Sequence, residues 1–149
     1  MMENLNEFRK ALKFTLKWEG GYVNDPKDPG GETKWGISKK TYPSLDIKNL
    51  TPDQAASIYA KDYWDPCGCD TLGWPLSAVA FDTAVNLGPV RVIGWLRQTP
   101  TPSATDMLEL RRQYYINLCN KNTNLIRFAR GWWNRIADLR KLVDTPVNA

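Results

Sequence analysis

The amino-acid sequence predicts a mainly α-helical protein. Apolar residues recur at steps of three and four in several windows, helix-start and helix-stop residues bracket those windows, and no series of alternating strands and no internal repeat interrupts them. Leu5, Phe8, Leu12, Leu16 and Glu19 share one face of a first helix, with Asn4 as its cap, Glu7 three residues later as in a capping box, and Gly20-Gly21 as its stop. Residues 20 to 36 follow as a Gly/Pro-rich loop, with turn signals at Asp25-Pro26, Asp28-Pro29 and Gly30-Gly31 and room for a short hairpin.

Thr51-Pro52-Asp53-Gln54 opens the next helix with a cap, a Pro at the first position and a Gln at the third. That helix turns Ala55, Ile58, Tyr59 and Tyr63 inward and ends before Pro66. Residues 76 to 87, LSAVAFDTAVNL, are apolar almost all round, as a buried central helix requires. Asp82 and Asn86 are its polar exceptions, one turn apart, and Gly88-Pro89 ends it. A helix over 89–98, a Pro-rich break at 99–102 and helices over 104–119 and 123–142 complete the chain, the last with Phe128, Trp132, Ile136 and Leu139 on one side.

At 149 residues and 42% hydrophobic content the chain suits one compact, globular unit. No apolar stretch approaches the roughly 20 residues of a membrane span. MMENLNEFRK places charges where a signal peptide has its apolar core, so a cytoplasmic protein without a Sec-type signal is expected. The net charge of +4 favours a polyanionic partner: nucleic acid, anionic membrane or cell-wall polymer. Seven Trp supply core, or flat faces for sugar rings and bases.

The chain contains no His, which removes Ser-His-Asp and Cys-His catalysis and His-ligated metals. Acid–base chemistry then falls to carboxylates, Tyr, Lys or Cys. Cys67, Cys69 and Cys119 match no zinc spacing and read as structural thiols in a reduced compartment. No metal and no cofactor is expected.

Glu19 stands where a carboxylate is least favoured, at a helix C-terminus. With Trp18 desolvating it, that position holds a proton on Glu19, as a general acid near neutral pH requires. Gly20 and Gly21 let backbone or substrate approach closely. The alternative is a solvated surface Glu beside a glycine cap.

WEGGYVNDPKDPGGETKWGIS, residues 18 to 38, resembles the N-terminal motif of the glycoside hydrolase family 108 N-acetylmuramidases, which include phage endolysins and bacterial relatives labelled secretion activators. EGGY is residues 19 to 22, and NDPxDPGGxTxxGIS runs without a gap from 24 to 38. AVAFDTAVNLGPVRVIGWLR (78–97) resembles the family's second segment, and RFARGWWNRI (127–136) the end of its C-terminal peptidoglycan-binding region. The stretch between Trp95 and Leu110 is shorter than in longer relatives. The resemblance implies a lysozyme-like catalytic region over 1–98 and a helical peptidoglycan-binding region over 99–149, packed as one compact unit. It also implies cleavage of the β-1,4 bond after N-acetylmuramic acid, with Glu19 as the acid. A monomer is expected, acting on peptidoglycan glycan strands and reaching the wall through a membrane lesion of the kind a phage holin makes, without stable membrane insertion of its own.

A glycosidase needs a second group that stabilises charge at the anomeric carbon or activates water. Asp28 is the first choice, with Asp25 behind it, and Thr33 follows in an order similar to that of the phage lysozymes, where Asp and Thr hold the attacking water. Either Asp serves equally as a turn residue before Pro, and Thr33 as a loop hydroxyl. The spacing leaves inversion and retention open. Tyr22 and Tyr59 are the candidate sugar-stacking faces. Asp82 and Asn86 are candidate substrate-binding residues that either line the cleft or brace the catalytic loop, since buried polar groups need partners. Arg127, Arg130, Arg135, Arg140 and Lys141 form a basic face on the last helix, either a seat for wall anions or a solvated surface. Two other classes compete: a non-catalytic wall-binding or secretion-assisting protein on the same fold, and a nucleic-acid binder, which leaves the Glu-Gly-Gly stretch unexplained; no nucleic-acid partner is expected.

Overall fold

The computed structural model describes residues 2–148. It is mainly α-helical, with a small antiparallel sheet inserted after the first helix. Six α-helices occur among the described residues: α1 (Met2–Glu19), α2 (Pro52–Tyr59), α3 (Leu76–Leu87), α4 (Pro89–Gln98), α5 (Ala104–Lys121) and α6 (Ala129–Val143). The loop of residues 20–36 does hold strands. β1 (Val23–Asn24), β2 (Glu32–Lys34) and β3 (Ile37–Ser38) pair in that order, in the register Val23↔Thr33, Asn24↔Glu32, Thr33↔Ser38 and Lys34↔Ile37.

α3 is the central helix. It touches α1, α4, α5 and α6, and residues 76–84 along it are all buried. Its Phe81 receives the rings of Phe8, Tyr59 and Trp64 edge-on at centroid distances of 5.7, 6.1 and 5.6 Å, an arrangement aromatic quadrupoles favour over face-to-face stacking. Tyr59 and Trp64 reach Phe81 together because residues Ala60–Trp64 form a π-helical turn after α2, closed by Asp65 N–H to Ala60 O at 2.8 Å. A wider turn aligns residues five apart. The inward residue is therefore Trp64 rather than Tyr63, which is half-buried. Thr51 caps α2 with the full capping box expected of TPDQ.

Three further sequence expectations differ from the structure. α1 starts at Met2, so Asn4 lies inside the helix rather than capping it. Its buried face is only partly the one the apolar spacing marks: Leu12 is buried and Phe8 and Leu16 pack on the core, but Ala11, Phe14 and Thr15 are buried as well, whereas Leu5 is 46% exposed. The last helical stretch is split, residues Thr123–Phe128 forming a 3-10 helix before α6, and Phe128 is exposed instead of facing the core. Cys67 and Cys69 are buried free thiols, with burial pushing Cys67 up to about 11 and Cys69 higher still, which keeps both protonated and unreactive. No helix among the described residues is long and apolar enough to cross a membrane.

Because Phe81 is 0% exposed at the meeting point of three rings, Phe81→Ala is expected to lower unfolding free energy by about 3–5 kcal/mol. Leu5→Ala is expected to cost less than about 1 kcal/mol. Urea denaturation of both variants measures the difference.

Candidate active site

Glu19 is the last residue of α1, and its side chain is 21% exposed. Three elements frame it. Arg135 of α6 donates from Nη1 to Glu19 Oε1 at 3.0 Å. The turn between β2 and β3 lies against Oε2: a Cβ built on Gly36 would stand 2.7 Å from that oxygen and 2.8 Å from the Tyr59 hydroxyl. On the remaining side Gly20 and Gly21 leave open space, with nothing within 4 Å of a Cβ at either. Gly131, one turn before Arg135 on α6, is equally open.

The surroundings expected to act on Glu19 are therefore replaced. Trp18 does not cover it, because adjacent helical residues point about 100° apart, and the indole N–H donates instead to Asp138 Oδ2 at 2.8 Å. The group facing Glu19 is a cation.

Arg135 is itself held by Asp82. That carboxylate is fully buried and accepts four hydrogen bonds: from Thr15 Oγ1 (2.8 Å) and Arg135 Nη2 (2.8 Å) on Oδ1, and from Arg111 Nη1 (2.7 Å) and Arg135 Nε (3.1 Å) on Oδ2. Burial alone would raise its pKa, but the Arg111 and Arg135 guanidiniums outweigh burial and hold it below the usual carboxylate value. Burial lowers the Arg135 pKa, and Asp82 and Glu19 more than reverse it. From Arg111 the chain of contacts runs on: Nε donates to the Tyr115 hydroxyl at 3.0 Å, and that hydroxyl donates to Asn86 Oδ1.

Asp82 and Asn86 thus brace the site. Asp82 is 0% exposed and cannot touch a substrate, and the half-buried Asn86 accepts on Oδ1 from the Tyr115 hydroxyl. Tyr59 offers no stacking face either: its ring is 2% exposed in the core, and its hydroxyl donates to Trp35 O, with burial and then the nearby Glu19 raising its pKa far above that of a free phenol. Tyr22 is 38% exposed and donates to Glu32 Oε2 at 2.7 Å, so its ring remains open. Asp28 is exposed, and its Oδ1 accepts from Gly30 N–H at 2.8 Å, the Asx-turn the sequence allowed. Asp25 makes the same turn with Lys27 N–H at 2.9 Å. Thr33 sits on the central strand and shares its sheet face with Val23 and Ser38. Neither Asp28 nor Thr33 bonds Glu19. Both belong to the sheet-and-loop unit whose β2–β3 turn lies against it.

That turn has two central residues, Trp35 and Gly36, with φ of 51° and 79°, the positive pair of a type I′ hairpin. Trp35 is an unusual occupant of this region, and several contacts hold it there. Its N–H donates to Gly20 O at 3.1 Å, its carbonyl receives Tyr59, and Lys34 Nζ lies 4.7 Å from its ring centre.

Arg135, Arg111 and Gly36 were not singled out by sequence reasoning. The sequence places Arg135 on the basic face of the last helix, yet it is 7% exposed. The available signal was Asp82: a carboxylate on an otherwise apolar helix requires buried cations. Among the described residues no three His, Cys, Asp or Glu side chains cluster closely enough to hold a metal ion.

A family model described as glycosyl hydrolase 108 matches residues 12–88, slightly more than half of the chain and including Glu19, Asp28, Thr33, Gly36 and Asp82. Among solved structures the chain is similar to SagA of Brucella abortus, with 26% sequence identity, a TM-score of 0.71, and 90% of this chain and 91% of that chain covered. No curated protein matches the chain.

Removing the Asp82 charge leaves the buried Arg111 guanidinium without a countercharge and Arg135 with Glu19 alone, so Asp82→Asn is expected to lose about 3–5 kcal/mol at pH 7. A carboxylate whose folded-state pKa is depressed stabilises the fold above the unfolded-state value of about 4 and ceases to do so as pH falls through the lowered value. The gap between wild type and variant in urea titrations should therefore shrink below about pH 4. Gly36→Ala, with a strained φ and two oxygens in the way of its Cβ, is expected to cost at least about 1–3 kcal/mol. Gly131→Ala, in open space on α6, should be neutral or stabilising in the same urea titrations.

Proposed function

The chain belongs to glycosyl hydrolase family 108, and from that premise we propose that it is an N-acetylmuramidase, a lysozyme that cleaves the β-1,4 bond between N-acetylmuramic acid and N-acetylglucosamine in peptidoglycan. Membership makes it a glycoside hydrolase. The observation that carries the finer reading is the placement of Glu19: a single carboxyl at a helix end, with a guanidinium on one oxygen, a glycine turn against the other and two side-chain-free residues opening it to a glycan strand.

Glu19 gives its proton to the glycosidic oxygen as the bond to the anomeric carbon breaks. Negative charge develops on Glu19 during that transfer, and Arg135 at 3.0 Å is fixed in advance to receive it. A preorganised charge of this kind stabilises the transition state more than the ground state. Asp82 and Arg111 complete a set of two carboxyl groups and two cations that is electrically balanced once the proton has left. Positive charge at the anomeric carbon and the attacking water fall to Asp28, aided by Thr33. The Asx-turn fixes Oδ1 of Asp28 on Gly30, so Oδ2 is the oxygen for water. Tyr22, exposed beside the loop, is the sugar-stacking side chain in this scheme.

Residues 99–149 enter the same scheme through α6, which delivers Arg135. The rest of that region supplies contacts to the glycan strand. Action from the cytoplasm through a membrane lesion, as for a phage endolysin, belongs to this proposal, with a monomer as the working species.

Glu19→Gln keeps the size and hydrogen-bonding capacity of the side chain and removes its acidity. It is expected to abolish the release of reducing ends from purified sacculi, with a loss of at least about 100-fold, while circular dichroism stays that of the wild type. Mass analysis of wild-type digests should find muramic acid at the new reducing end. Sacculi that bind the wild type without gaining reducing ends would instead favour the wall-binding reading.

A further inference from the structure

A groove on the molecule lies away from Glu19. It has a volume of about 620 Å³ and runs along α1 beside the end of α6 and the residues after it. Arg9, Lys10, Lys13 and Lys17 line it over a floor that includes Phe14, Leu142 and Val147, and no carboxylate is among its lining residues. Arg9, Lys13 and Lys17 are four apart, so they stack on one stripe of the helix about 12 Å long at 1.5 Å per residue. Glu19 lies about 120° round the helix from Lys13, so the stripe and the candidate acid face different directions.

Like charges four apart on a helix destabilise it. Two of the cations have compensation within the fold: Lys17 pairs with Asp138 at 2.6 Å, and Lys10 ties the C-terminal segment to α1 through Pro146 O at 2.6 Å. Arg9 and Lys13 are exposed and have no ion pair among the described residues. A concave site with a row of cations above an apolar floor matches a linear chain in which anionic groups alternate with short carbon segments. It matches a flat membrane less well, because the cations lie in a groove. It matches nucleic acid less well too, because the one aromatic ring in the groove, Phe14, is 8% exposed and has Lys17 Nζ 5.2 Å from its centre, leaving no face for a base.

We propose that the α1 groove binds a linear phosphodiester polymer of the bacterial envelope, of the poly(glycerol phosphate) type, and so holds the protein on its wall by a contact independent of catalysis. The binding does not depend on the muramidase reading, and the two fail separately.

The experiment titrates the full chain with purified poly(glycerol phosphate) at about 50 and about 200 mM salt, comparing wild type, the double variant Arg9→Gln/Lys13→Gln and the charge-conserving double variant Arg9→Lys/Lys13→Arg. Expected are wild-type binding that weakens with salt, at least a tenfold weaker hold by the Gln variant, and recovery in the charge-conserving one. Hydrolysis of sacculi stripped of phosphodiester polymer should be the same for all three. Equal binding by wild type and the Gln variant overturns the proposal, as does no binding at the lower salt. A tighter hold on phosphatidylglycerol vesicles or on a single-stranded oligonucleotide than on poly(glycerol phosphate) overturns it as well. Thermal melts accompany each variant, and loss of binding by the charge-conserving pair with an unchanged melt also counts against it.

Discussion

The buried carboxylate of Asp82 organises this molecule. It accepts from α1 through Thr15, from α5 through Arg111 and from α6 twice through Arg135, while sitting on α3. A charge so placed is tolerable only when every lone pair is met and a countercharge is close. The arrangement therefore ties four helices to one geometry. Hydrophobic contacts around Phe81 supply much of the cohesion, but they are less directional, and a core packed by size alone tolerates small shifts. The Asp82 cluster does not, and that intolerance sets the position of the guanidinium that meets Glu19.

The second constraint acts from the other side of the acid. The β2–β3 turn presses its backbone against Glu19 Oε2 and the Tyr59 hydroxyl, closer than any side chain would allow. Only glycine fits at residue 36, for its φ and for the approach. Trp35 beside it is held in a disfavoured conformation by hydrogen bonds to Gly20, which follows α1, and to Tyr59 of α2, so the sheet is fastened to the helix end rather than merely adjacent to it. Strain of this sort persists where the surroundings over-determine it. Rigid framing of Glu19 by α6 and by the turn leaves the Gly20-Gly21 side as its open approach.

Much of the fold was legible because helix boundaries are written in local chemistry. The Thr51 capping box, the stop at Gly20, the apolar run of 76–87 and the Pro89 start all lie where the sequence places them. Errors arose where tertiary contacts override local pattern. Leu5 fits the apolar spacing of α1 but is exposed, because the helix rolls to bury Thr15 against Asp82. Trp64 replaces Tyr63 as the inward ring, because a π turn shifts the register by one. In the site, Glu19 stood out through its unfavourable position and its motif. Arg135 did not, because a basic helix face looks the same in sequence whether its arginines meet water or a buried carboxylate 53 residues away. Asp82 was noticed as a polar exception, and bracing was one of the two roles it suggested.

Glu19 and Arg135 are separated by 116 residues along the chain. The acid and the turn against it belong to the first third of the polypeptide, whereas the guanidinium arrives only with the final helix. During synthesis the early segments emerge while α6 is still unmade, so a nascent chain carries the family motif before the guanidinium that meets Glu19 exists. A fragment that ends before α6 keeps the family motif but leaves Glu19 without the guanidinium that meets it.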